Sequence, residues 1–100
     1  KEAGTSSNFR IAQGTADALM GYGDDAKAIP LYQAALTKGA TDADAINTRI
    51  GIAKTRTGDL AGAREAFAKV NPNGPRGQIV AFWQLYIEQK AGGSAAPAAQ

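Results

Sequence analysis

The side chains that could carry chemistry in this chain are paired carboxylates, a scatter of basic residues and a single indole. The carboxylates come as Asp24-Asp25 and as Asp42 with Asp44. Such pairs can hold a divalent cation, but neither is followed by the ligand spacing of a calcium loop. Both stand where a helix is expected to begin, and there a carboxylate offsets the positive end of the dipole and caps free amides. Capping is the expected role, and no metal site is assigned. Gly21-Tyr22-Gly23 has two glycines of a phosphate loop without a third, and no strand precedes it, so it reads as a turn between helices. Arg49, Lys54, Arg56 and Arg64 are interleaved with neutral residues and describe a solvated face. There is no cysteine and no histidine. The first absence rules out thiolate and disulfide chemistry, and the second removes the commonest general base and metal ligand. No nucleophile and base stand at a recognisable spacing. The expectation is a protein that is not an enzyme and carries no cofactor.

The elements that must position these residues read as five helices. Ser7 or Asn8 opens the first, which runs to about Met20 with Phe9, Ala12, Ala16 and Leu19 at helical spacing. The second runs from Asp25 to about Lys38 and tolerates Pro30 as a bend near its start. The third covers Asp42 to about Thr57, the fourth Leu60 to Val70, and the fifth about Arg76 to Lys90. Residues 1–7 are expected to be flexible, as is the Ala/Gly/Pro-rich tail 91–100. The rest, residues 8–90, forms one small domain. A net charge of +2 argues against nucleic acid or an acidic membrane as partner. No apolar run approaches the ~18 residues of a membrane span. A chain that begins at Lys1 rather than at a methionine reads as an excised or processed piece.

One phrase occurs twice. Gly23-Asp24, Ala26, Ala28 and Tyr32 are answered by Gly58-Asp59, Ala61, Ala63 and Phe67, each pair 35 residues apart (58 − 23). A constant period in this range marks a repeat array. The glycine ends one helix, the aspartate starts the next, the alanine admits a close neighbour and the aromatic one turn on fills the space beyond.

These residues resemble the tetratricopeptide repeat. Ile50-Gly51 stands where that family has Leu-Gly, Ala63 and Phe67 match its Ala-x-x-x-Phe, and Pro75 matches its closing proline. Asn47 replaces the usual large residue and Lys54 the usual aromatic. The first copy offers Ala12, Thr15, Ala16 and Leu19, with Ala40 in place of the proline. The resemblance covers residues 8–77, with repeats at about 9–42 and 44–77 followed by a terminal helix over 76–90. It implies an all-α fold of antiparallel helix hairpins stacked in a short right-handed solenoid.

The resemblance also implies a function. In the family, the stripe of each first helix that packing leaves free lines a concave groove for peptides. Here that stripe runs from Ala45 and contributes Thr48, Ile52 and Arg56. The same offset carries Ala45, Thr48 and Ile52 onto Arg10, Gln13 and Asp17, with Met20 a turn on, and onto Val80, Trp83 and Ile87. All of these except Ala45, ten in number, are the candidate partner-binding residues. Trp83 either anchors the groove or packs on the fourth helix. With Asp17 in the groove, the family's grip on a terminal carboxylate is not carried over. The expected function is a scaffold that binds a protein or peptide, or alternatively a structural segment of a longer array or a homodimeric building block. The fifth helix, apolar nearly all round, lacks the polar outer face of a terminal cap and is the candidate dimer surface. The tail resembles those of exported bacterial proteins, which points to the cell envelope.

Overall fold

A computed structural model describes residues 2–93 of the chain. It is all-helical among these residues: α1 Glu2–Gly21, α2 Asp25–Thr37, α3 Ala43–Thr57, α4 Leu60–Ala68 and α5 Gly77–Gly93. Successive helices pack on one another from α1 to α4, and α5 rests on α4 and α3. The result is a long, flat stack of 59 × 29 × 18 Å.

The repeated phrase has the same form at both sites except at its aspartate. Gly23 and Gly58 sit at φ 87° and 93°, in the left-handed region that side chains with a Cβ rarely enter. At Gly58 the amide returns to the carbonyls of the last turn, closing α3. Ala28 and Ala63 are fully buried, and Tyr32 and Phe67 fill the space beside them. The aspartates differ. Asp59 accepts from the Gly62 amide at 2.9 Å, and Asp42 likewise caps α3 through Ala45 at 3.0 Å. Asp24 makes no side-chain cap, so the expected carboxylate cap of α2 is absent.

Several boundaries move. The first helix starts at Glu2, so Ser7 and Asn8 lie inside it and the segment expected to be flexible is largely helical. No proline interrupts that stretch. Helix α2 runs unbroken through Pro30. Pro75 precedes α5 by two residues, and the Arg76 carbonyl accepts from the Val80 amide at 3.0 Å. Helix α5 continues to Gly93; the remainder of the expected flexible tail, and Lys1, lie outside the described residues.

The core has two parts. Phe9, Ala12, Ala16, Ala28, Tyr32, Ile46 and Ile50 form one, between α1, α2 and α3. Ala63, Phe67 and Val70 of α4 join Val80 and Ile87 of α5 in the other, with Ile52, Leu60 and Trp83 at its margin. The two meet at Gly51, which has no side chain to separate α3 from the Phe67 ring.

Candidate interaction surface

The ten residues expected to line one groove are divided by the packing of α5. Val80 and Ile87 lie seven residues apart on the face of α5 that packs on α4, and both are buried. Ile52 is half-buried against the same cluster. Thr48 is buried, and its hydroxyl donates to the Asp44 carbonyl at 2.7 Å. The stripe of α3 that packing was expected to leave free is therefore largely enclosed. Trp83 is half-buried; it shares a cluster with Ile52 and stacks on Phe67 at 6.5 Å, so it both edges the surface and packs on α4.

The polar end of the stripe is accessible but engaged. Arg10 is exposed and lies over the Phe9 ring, Gln13 is half-buried, and Met20 packs on the first core. Arg56 pairs with Asp25 at 3.4 Å. The Asp17 carboxylate accepts from the Tyr32 hydroxyl and faces Arg49 at 3.7 Å, tying α1 to α2 and α3. Arg64 pairs with Glu88, so Arg49, Arg56 and Arg64 each have a carboxylate partner.

Folding alters the titration of the Tyr32 phenol. Burial, then the bond to Asp17 and its negative charge, raise the phenol well above its ordinary value of 10.0. A raised pKa in an acid favours the protonated fold, so this contribution is complete below pH 10 and lost as pH rises through the alkaline range. The loss runs at about 1.4 kcal/mol per pH unit between the unfolded and folded values. Urea midpoints from pH 9 upward should fall more steeply for the native chain than for Tyr32→Phe. Parallel slopes would show that the phenol is not held by the fold.

Among the described residues, a contiguous group of exposed apolar side chains lies on the outer face of α5. Phe82, Leu85, Ile79 and Tyr86 expose 64%, 58%, 47% and 39% of their surface. Trp83 meets Phe82 and Tyr86 edge-on at 6.3 and 5.6 Å while stacking on Phe67, so a ladder of rings joins this face to the core. At about 200 Å² for a large side chain, the four present on the order of 400 Å² of apolar surface, as large as the greatest patch on a typical monomer. The sequence signal was present in the nearly all-apolar run of α5; the side that faced out depended on how α5 seats on α4.

The 35-residue offset gives this face counterparts in α1 and α3. Thirty-five residues before Phe82, Leu85 and Tyr86 stand Asn47, Ile50 and Gly51, all buried on the side of α3 that meets α2 and α4. One period earlier, Ala12 and Ala16 of α1 are buried with α2 in the first core, while Thr15 between them is exposed. The face that carries the following helix in α1 and α3 is uncovered in α5. Elsewhere a cleft of about 60 Å³ opens between α2, α3 and α4, large enough only for a few waters. Among the described residues no three His, Cys, Asp or Glu side chains cluster as a metal site, and no helix is long and apolar enough to cross a membrane.

No protein-family model matches the chain, and no curated protein or solved structure is similar enough to count as a match.

Proposed function

We propose that the domain is a non-catalytic protein-interaction module that receives a helix on the outer face of α5. The observation that carries this reading is the alignment of Phe82, Leu85 and Tyr86 with the α3 residues Asn47, Ile50 and Gly51, which α2 and α4 cover. A surface built to the repeat's own helix-packing register is suited to an amphipathic helix laid across it. The resemblance to tetratricopeptide repeats supports the same class of work, with the working surface on α5 rather than in the stripe through Thr48 and Ile52. An interaction scaffold and a segment of a longer array make the same demand of this face.

A hydrophobic dye that brightens on apolar surface, 8-anilinonaphthalene-1-sulfonate, tests the reading at low protein concentration. The native chain should bind it. Phe82→Ser combined with Leu85→Ser should remove most of the signal while leaving the melting temperature within a few degrees, as exposed sites allow. A double variant that instead melts far below the native chain would make this face structural and sink the proposal.

A further inference from the structure

We propose that the occupant of this face is α5 of a second copy, laid antiparallel about a two-fold axis. The inference rests on the reading of α5 as a docking surface and names its partner. An isologous interface needs a patch complementary to itself under exchange: if residue i meets j, then j meets i. At 100° per residue, Gln78, Phe82, Leu85 and Gln89 form one line along the exposed side of α5, and Ile79 and Tyr86 flank it on the side of Trp83. The spacing along the line is four, three, four, that of a two-helix seam.

The line reads the same way from both ends. Antiparallel pairing about a point between Trp83 and Gln84 sets Phe82 against the partner's Leu85 and Leu85 against the partner's Phe82. The same operation sets Ile79 beside the partner's Tyr86, since a two-fold brings each flank against its own copy. Gln78 then meets the partner's Gln89, closing both ends with amides that can donate and accept. Each of the four large apolar residues exposed on α5 gains an apolar neighbour, and none is left over. No charged side chain lies among these six, so no like charges meet across the seam.

Area places the interface in a size class. Pairing removes on the order of 800 Å² from the two apolar patches, and their polar margins bring the total to about the lower limit of specific interfaces, ~1,200 Å². That predicts a dimer with a dissociation constant in the micromolar range rather than an obligate one. Two of the four side chains, Phe82 and Tyr86, already pack edge-on against Trp83, which reduces the side-chain order to be lost on pairing.

The test uses the full chain. Light scattering or sedimentation from about 1 µM to about 1 mM should show the mass rising from one chain to two. Leu85→Asp should hold it at one chain throughout, with the native circular dichroism spectrum. Orientation is read by single cysteines, since the native chain has none. Gln78→Cys mixed with Gln89→Cys should cross-link readily on oxidation, whereas either alone should not. Like positions in an antiparallel pair lie about 16 Å apart (11 residues at 1.5 Å), beyond the reach of a disulfide. A mass of one chain at every concentration would overturn the proposal, as would preferential cross-linking of Gln78→Cys to itself. If the monomer still bound the dye through Phe82 and Leu85, self-pairing would fail while the docking face stood for a different helix. Loss of both would remove the two readings together.

Discussion

Phe67→Ala should lower the unfolding free energy by about 3–5 kcal/mol, the range for truncating a buried aromatic. The ring is 1% exposed and belongs to three elements at once. It grows from α4, lies directly on Gly51 of α3 and stacks on Trp83 of α5. The loss should fall toward the upper end, because the cavity left behind is bounded by a glycine, which has no side chain to relax into it. For a domain of this size each kcal/mol shifts the midpoint by about 4–8 °C, so thermal unfolding should begin tens of degrees earlier. Phe82→Ala supplies the comparison. That ring is 64% exposed, and at concentrations where the chain is monomeric its removal should change stability by no more than about 0.5 kcal/mol. Similar shifts for the two aromatics would contradict the assignment of Phe67 to the core and Phe82 to the surface.

The contrast between those rings also marks how far the sequence could be read. Phe67 belongs to a phrase whose parts agree: a helix-ending glycine, a starting aspartate, a small residue and an aromatic one turn on. Its copy at Tyr32 shares the left-handed glycine, the buried alanine and the buried aromatic, though Asp24 does not cap as Asp59 does. Local signals of this kind act within a few residues, so the helices α2, α3 and α4 were legible almost to their ends. The all-α class followed from them.

The α5 face was legible only in part. A helix with Ile79, Val80, Phe82, Trp83, Leu85, Tyr86 and Ile87 has no unique apolar stripe, so periodicity cannot say which side turns inward. The repeat offset placed Val80 and Ile87 at an open surface, and the structure buries them against α4. What fixes the rotation is packing: two aliphatic residues seven apart fit the cluster of Ala63, Phe67 and Val70, and the rings go to the other side. The expectation for Asp17 missed Tyr32 for a related reason. Nothing in the spacing of residues 17 and 32 announces that the two meet; only the close packing of α1 on α2 through Ala16 and Ala28 brings the hydroxyl to the carboxylate.

Glycine-to-alanine exchange should have opposite signs at two positions inside helices. At Gly14 of α1 a Cβ would meet nothing within 4 Å, and the residue is exposed. Alanine there restricts the unfolded chain and suits the helix, a gain of about 0.5–1 kcal/mol. The same intrinsic gain is available at Gly51 of α3. It is outweighed, because a Cβ at Gly51 would lie 2.4 Å from Cε1 and 2.6 Å from Cδ1 and Cζ of Phe67. Carbon contacts settle near 3.5–4.0 Å, so either the ring or the two helices must give by about 1 Å. The ring cannot swing freely, since Trp83 stacks on it and Val70 and Ile87 share its cluster. Overpacking of this kind costs about 1–3 kcal/mol, so Gly51→Ala should be a net loss. Chemical denaturation of both variants gives the two signs directly. A further check trims the obstacle: with Phe67→Leu already in place, Gly51→Ala should cost less by at least about 0.5 kcal/mol, the coupling expected of residues in contact. If Gly51→Ala stabilises the chain as Gly14→Ala does, α3 and α4 do not approach through this glycine, and the small-against-large fit that joins the two halves of the core is wrong.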